Sequence, residues 1–522
     1  MPYLHPSTHP PKILGVPESA HHGSVLTLRG SGSWLRTKKG TIAPPKGPDG
    51  NAPSIWSANR KTKPAGPSDD HRTAYEKDHD RLLFSTPVRR LADKTQVFPL
   101  ERNDSVRTRL THSHEVSNLA RSLGTRLLRI RPDVFGDDPR SENAPVILAA
   151  IGLAHDLGNP PFGHQGEDAI GKWYSDNAHL FATFSHDKSK KEPNFVAVPI
   201  DQQTDFTKFE GNAQSLRLVC RLQNMIGPAG LDLTAATLAA LMKYTVRSSQ
   251  IAKSSAASKK HGYFVSETEF VDWIRKETGL AKQQRHPLTW LMEASDDIAY
   301  SVLDIEDAIK KGLVSPEDLL AHLRKRFPGE EALGGLMKRL TEAFQKADDL
   351  KFALSRVREI KVGYLRTLLI DKLLTAVIST YLADRDAILN HAQTKALLDC
   401  GSEESDLCEC LKSFARSYAY QSQNVLELEH RGDIIIRSLM DDMWEAISDR
   451  REFLKLDSKR NSPKARFVYS LISDSYRWHF ETENTDPVSI RYRELQLLSD
   501  MISGMTDGYA VDLYERIRRA VA

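Results

Sequence analysis

Three short stretches of this chain bring imidazoles and carboxylates together at spacings that could hold a divalent metal ion. They are Arg107-Thr-Arg-Leu-Thr-His-Ser-His-Glu-Val116, Leu153-Ala-His-Asp-Leu-Gly-Asn-Pro-Pro-Phe-Gly-His-Gln-Gly-Glu167 and Glu293-Ala-Ser-Asp-Asp-Ile-Ala-Tyr300. Together they offer His112, His155, Asp156 and Asp296. Such a mixed nitrogen and oxygen set suits Mg, Mn, Fe, Co or Ni rather than a closed thiolate zinc site. It also leaves coordination positions for water and a phosphoryl oxygen, so a bound ion could polarise that oxygen and activate the water. The chemistry would still need a proton for the leaving oxygen. His164 and Glu167 are three residues apart and share a face if their segment is helical. A carboxylate in that position holds the tautomer and pKa of an imidazole and equips it as a general acid or base. Arg109, at i−3 from His112, adds a cation to the same helical face for a phosphate.

Each piece has a plainer reading when taken alone. A His-Asp pair in an apolar helix is usually a hydrogen-bonded core pair, and His164 with Glu167 could be a helix-capping histidine beside a surface acid. Their combination points to a site. Cys408 and Cys410, with Cys400 nearby, do not make a second one, because residues two apart on a helix face different ways and the spacing matches no zinc pattern.

The elements that must position these residues read as helices. Apolar residues recur at helical spacing in Leu82, Leu83, Phe84, Val88 and Leu91, in Leu119, Leu123, Leu127 and Leu128, and in Leu365, Leu368, Leu369, Leu373 and Leu374. Alternating strand patterns are scarce, so the expected fold class is all-α. The apolar run Val146–Ala154 fits a buried helix, and Asn159-Pro160-Pro161 stops it directly after His155 and Asp156, since proline cannot continue a helix. Polar interruptions around Ser185 to Asn194 and Ser248 to His261 read as exposed loops. No internal repeat of fixed period is present.

Residues 1 to 68 hold 11 of the 26 prolines and, up to Pro48, six Lys/Arg against the single acid Glu18. This composition reads as a disordered basic tail, too rich in proline for the amphipathic helix of a transit peptide. The whole chain of 522 residues carries 72 Lys+Arg against 69 Asp+Glu, a net +3 that points to no dedicated nucleic-acid binder. No apolar run reaches the roughly 18 to 20 residues of a membrane span, and four unevenly placed cysteines make no disulfide scaffold, so a soluble protein of the reducing cytoplasm, without membrane partners, is expected.

The metal-type blocks, with Arg72-Thr-Ala-Tyr75, Arg89-Arg-Leu91, Lys94-Thr-Gln-Val-Phe-Pro99, Phe209-Glu-Gly-Asn-Ala-Gln214, Asp304-Ile-Glu-Asp-Ala-Ile309 and Ser499-Asp-Met-Ile-Ser-Gly-Met-Thr-Asp507, resemble the bacterial deoxyguanosine triphosphate triphosphohydrolases of the HD-domain superfamily. The match covers roughly Arg72 to Lys311 and resumes at Ser499; most of 320 to 490 carries no motif that matches. The resemblance implies an HD-domain helical bundle over 69–315, after the tail, and a C-terminal helical region over 316–522 that completes the nucleotide pocket and the oligomer contacts.

It further implies His112, His155, Asp156 and Asp296 as ligands of a divalent ion, Mg or Mn foremost. Asp296 is preferred to Asp297 because Tyr300 and Asp304 follow it at i+4 and i+8 on one helical face, whereas Asp297 faces about 100° away. It places Lys243 and Tyr244 on phosphate, where the plainer reading of Lys243 is a solvated helix end. Gln96 and Asp304 fall on the sugar 3′-hydroxyl, and Val97 and Tyr300 against the ring. Close packing at the 2′ carbon would exclude ribose, although apolar packing alone discriminates against a hydroxyl by only about 10² and needs steric closure besides. His114 departs from the family, where an apolar residue is usual, and should face away from the site.

The implied reaction is hydrolysis of dGTP, or another dNTP, to deoxynucleoside and triphosphate by attack on the α-phosphorus. A homo-oligomer is implied as well, and the basic tail admits single-stranded DNA as a further ligand. Two competing readings are another HD-domain nucleotidase or signalling-nucleotide phosphodiesterase, which would share the four metal residues but not the His164/Glu167 insertion and the Tyr300/Asp304 face, and a nucleotide-responsive binding protein with a degenerate site. Against the latter, every position needed for chemistry holds a competent residue.

Overall fold

A computed structural model describes residues 52–63, 71–101, 103–182, 197–223, 229–452, 454–482 and 489–521. The chain is all-α: helices dominate the described residues, which contain isolated bridges but no β-strand. The helices that build the site are α1 (Ala74–Leu83), α2 (Arg109–Ile130), α3 (Ala144–Ala154), α4 (Gly163–Asp176), α5 (Ala235–Leu241) and α6 (Pro287–Lys310). Beyond them lie α7 (Leu354–Ala383), α8 (Glu403–Tyr418), α9 (Gln423–Ser448), α10 (Ile490–Ser503) and α11 (Asp507–Val521).

Helix α3 is the hub because it is apolar on every face. It packs against α1, α2, α5 and α6, and Ile147, Leu148, Ile151 and Leu153 are all but completely buried. Each such side chain contributes about 1.5–3 kcal/mol relative to exposure. Helix α2 approaches α3 most closely at Gly152, where a Cβ would stand 2.7 Å from the Ser117 Cα; only glycine allows that approach. Ser117 seals the contact by donating its hydroxyl to the Ala149 carbonyl at 2.8 Å. Proline at the first helical position starts α6, with the His286 ring accepting the Leu288 amide at 3.1 Å.

The regions on either side of residue 315 pack as one unit, since α6 lies against both α7 and α8. Arg107 strengthens the seam between α2 and α6: its guanidinium reaches Glu115 at 2.8 Å, Glu306 at 3.0 Å and Asp307 at 2.6 Å.

Two expectations need correction. Residues 52–63, read above as tail, are part of the core: Trp56 is buried edge-on to Phe135 and His286, and Arg60 pairs with the fully buried Asp78 at 2.7 Å. The carbonyls of Ser57 and Asn59 also accept the first amides of α5, from Ala236 and Ala235. The Ser248 to His261 segment is only partly an exposed loop, because Ser248, Ala257, Ser258 and His261 are buried and His261 meets the Lys208 carbonyl at 2.8 Å. The expected loop at Ser185 to Asn194 and the tail up to residue 51 lie outside the described residues. No described helix is long and apolar enough to cross a membrane.

Candidate active site and metal centre

Helices α2, α3 and α6 converge on one cluster. His112 lies in the first turn of α2, His155 caps the C-terminus of α3, and Asp296 sits midway along α6. One ligand atom from each falls within 4.8 Å of the others. Asp296 Oδ1 stands 3.3 Å from His112 Nε2 and 3.5 Å from His155 Nε2, which is also 3.5 Å from Asp156 Oδ1.

Local structure orients His155. Its Nδ1 meets the Gly152 carbonyl at 2.7 Å and donates to it, which in the neutral ring leaves the Nε2 lone pair directed at the carboxylates. That Nε2 is buried and makes no hydrogen bond, as is His112 Nδ1. A buried imidazole nitrogen without a partner, facing two carboxylates, is what a divalent cation requires. The group fits such an ion.

The electrostatics agree. Burial opposes charge on His155, yet Asp156 and Asp296 outweigh it and push the ring up to about 9. Burial would raise Asp296, but Lys243 and the two imidazoles hold it well below the usual carboxylate range. Asp156 is held low in the same way by His155 and Arg109 against its burial. The cluster therefore holds ionised carboxylates that cationic neighbours compensate.

Asp297 turns elsewhere and meets Lys412 of α8 at 2.8 Å. His114 is exposed on another face of α2. Cys408 and Cys410 are buried in α8 as free thiols.

Next to the cluster, α3 ends at Ala154, ahead of the Pro160-Pro161 stop expected from the sequence, and after the prolines Phe162 and Gly163 follow with φ of 62° and 61°. Two consecutive left-handed residues reverse the chain sharply at the start of α4, and the glycine accepts this without strain. The turn sets His164 and Glu167 on the first turn of α4. Their Nδ1 and Oε2 are 3.0 Å apart, and Glu167 Oε1 accepts the Gly211 amide at 2.8 Å. The hydrogen bond to Glu167 raises the pKa of His164. The ring itself is 79% exposed and faces the cleft, so it is held on one edge and free on the other.

Of the 13 residues singled out from the sequence, 12 line this one cleft of about 420 Å³, within the range of small-molecule sites. Asp304 does not. It is fully buried and accepts the Tyr420 hydroxyl at 2.7 Å, and Tyr420, which does line the cleft, stacks obliquely on Tyr300 with ring centres 5.8 Å apart. The oxygens Asp304 Oδ1 and Gln96 Oε1 are buried without partners. Two expected phosphate cations are engaged with the cluster: Lys243 lies 3.3 Å from Asp296 Oδ2, and Arg109 pairs with Asp156 and donates to the Thr95 carbonyl at 3.1 Å.

Sequence reasoning missed Lys260, Glu210 and Tyr420. Lys260 and Glu210 pair at 2.6 Å on the cleft wall. Glu210 lies in the Phe209-Glu-Gly-Asn block, which could have flagged it, whereas Lys260 is one lysine among several in a polar segment.

The chain matches known proteins over the same residues. The family model described as HD domain matches residues 109–202. A protein of Listeria monocytogenes named deoxyguanosinetriphosphate triphosphohydrolase-like protein is 37% identical over 457 residues, covering 86% of this chain and 94% of its own. The deoxyguanosinetriphosphate triphosphohydrolase of Klebsiella pneumoniae is 33% identical over 480 residues, covering 85% of this chain and 93% of its own.

Proposed function

This chain belongs to the deoxyguanosine triphosphate triphosphohydrolase family of the HD-domain superfamily, and from that premise we propose that it hydrolyses dGTP to deoxyguanosine and inorganic triphosphate. The observation that carries the proposal is the facing of two devices across one cleft: the His112, His155 and Asp296 cluster, flanked by Asp156, and the His164–Glu167 pair.

His112, His155, Asp156 and Asp296 would hold a divalent ion, Mg or Mn foremost. When bound, such an ion supplies Lewis-acid polarisation of a phosphoryl oxygen and a lower pKa for attacking water.

The remaining work falls to the chain's own side chains. The Gly152 carbonyl accepts the Nδ1–H of His155, so Nε2 is the nitrogen left to ligate an ion in place of its own proton. Arg109, Lys243 and Lys260 supply positive charge along the cleft, and Tyr244 adds a hydroxyl for the polyphosphate. Gln96 offers a carbonyl oxygen with no other partner to a sugar hydroxyl, while Val97 and Tyr300 pack on the sugar ring. Asp304 contributes to the 3′-hydroxyl contact through Tyr420.

His164, protonated and held by Glu167, gives its proton to the departing 5′ oxygen. Glu167 keeps the ring oriented because its second oxygen is fixed by the Gly211 amide. Protein chemistry of this kind leaves the triphosphate intact and frees a nucleoside.

Hydrolysis in ¹⁸O-enriched water tests the scissile bond. Attack on the α-phosphorus places the label in triphosphate; label in the nucleoside 5′-hydroxyl would mean attack at carbon and would exclude the proposed role of His164.

A further inference from the structure

The Ser499–Asp507 block is far in sequence from every residue proposed for catalysis, yet it bonds to Thr95 and Phe162, which line the cleft, and to α4, which carries His164. Asp500 receives two hydrogen bonds from Arg217, both at 2.8 Å, and one from Gln214 at 2.9 Å, next to the Glu210–Gly211 segment. Ser499 meets the Tyr174 hydroxyl of α4 at 2.9 Å. The Ser503 carbonyl shares the Lys94 ammonium with the Asn159 carbonyl, at 2.8 and 2.6 Å.

At the end of the block Asp507 ties two walls of the cleft together. Its Oδ1 accepts the Phe162 amide at 3.0 Å, and its Oδ2 accepts the Thr95 amide at 3.1 Å and the Thr95 hydroxyl. We propose that Asp507 is a positioning residue for the nucleotide site, its buried carboxylate holding the left-handed turn before His164 and the Thr95–Val97 wall in fixed relation.

The chemistry of the group explains its type. Asp507 is 2% exposed, and burying a carboxylate is costly unless its lone pairs are filled. Three donors from two chain segments fill them, and an ionised carboxylate accepts at both oxygens. An asparagine of the same size accepts at one oxygen only. Its amide group would confront either the Phe162 or the Thr95 amide, donor against donor, and one arm of the clamp would open.

The turn also has local supports: the Gly163 amide donates to the Pro160 carbonyl at 3.3 Å, and the buried Phe162 ring lies so close to α9 that a Cβ at Gly432 would stand 2.8 Å from it. Asp507 adds what these do not, a hydrogen-bonded tie from the turn to the Thr95–Val97 wall. Release of the Phe162 amide loosens that tie, so His164 can shift relative to Gln96 while the His164–Glu167 hydrogen bond, which lies within α4, is kept. Misplacement of a reacting group by about 1 Å can cost about 10² in rate.

This inference rests on the proposed role of His164, and the test separates the two. In full-length Asp507→Asn, amide hydrogen exchange at Phe162 or Thr95 should accelerate while metal content stays as in the parent. The kcat for dGTP should fall about 10- to 100-fold. In a His164→Ala background the same substitution should cost less than about 3-fold, because the group it positions is gone.

Thr95→Val removes only the hydroxyl arm and should lower kcat by a smaller factor; it serves if Asp507→Asn does not fold. A folded, metal-replete Asp507→Asn with parental kcat and parental exchange overturns the proposal, as does an equal loss with and without His164 or an unchanged Thr95→Val. If His164→Ala alone keeps full turnover, the catalytic reading has failed, and the exchange data still report whether the clamp exists.

Discussion

His164 Nδ1 and Glu167 Oε2 stand 3.0 Å apart on the first turn of α4, and the second Glu167 oxygen is fixed by the Gly211 amide. The imidazole is thus charged more readily than a free one, and its other nitrogen is left for the cleft.

A pH dependence follows, with a definite sign. Glu167 raises the pKa of His164, so an acid at this position is active below its pKa and inactive above it. Removing the charge in Glu167→Gln lowers that pKa, and the alkaline limb of the kcat profile should move to lower pH. A limb that stays or moves upward would show that Glu167 does not control the titrating group.

His164→Ala should lose about 10² to 10⁴ in kcat with metal content intact, as expected for a lost general acid. Single-turnover rates at saturating dGTP, with binding measured independently, separate chemistry from affinity. Normal turnover with lost metal would make His164 a ligand instead.

His155→Ala and Asp156→Asn should abolish both metal content and turnover while the helical circular dichroism survives. The ligands line a cleft where preformed helices converge, and α3 is held by its apolar packing rather than by them. A metal-replete, active Asp156→Asn protein would remove Asp156 from the ligand set.

Trp56→Ala should destabilise the protein by about 3–5 kcal/mol in denaturant unfolding, as large core truncations do. Its buried ring packs edge-on against Phe135 and His286, and alanine removes both contacts. A loss below about 1 kcal/mol, the scale of surface substitutions, would return residues 52–63 to the tail.

What was legible in the sequence was local. The three-residue spacing of His164 and Glu167 foretold a shared face, and the Pro160-Pro161 stop foretold a break between their helix and that of His155. Helical geometry also separated Asp296 from Asp297: the first joins His112 and His155, and the second turns to Lys412.

What depended on distant partners was not legible. Nothing near Trp56 distinguishes it from the proline-rich chain around it, and its burial comes from residues far along the sequence. Asp304 reads as a cleft residue by its helical register, but Tyr420, from a region with no recognisable motif, covers it. His261 sits in a polar stretch whose burial comes from the Lys208 carbonyl and the Phe264 ring.

Whether this cleft cuts a deoxynucleotide at the α-phosphorus and releases the polyphosphate whole is decided by chromatography of the products from each of the four dNTPs and GTP, with Mg and with Mn. Deoxyguanosine and inorganic triphosphate should appear from dGTP in equal amounts, with GTP left uncut; dGMP with pyrophosphate, or dGDP with phosphate, would place the scissile bond elsewhere and rule the proposed reaction out.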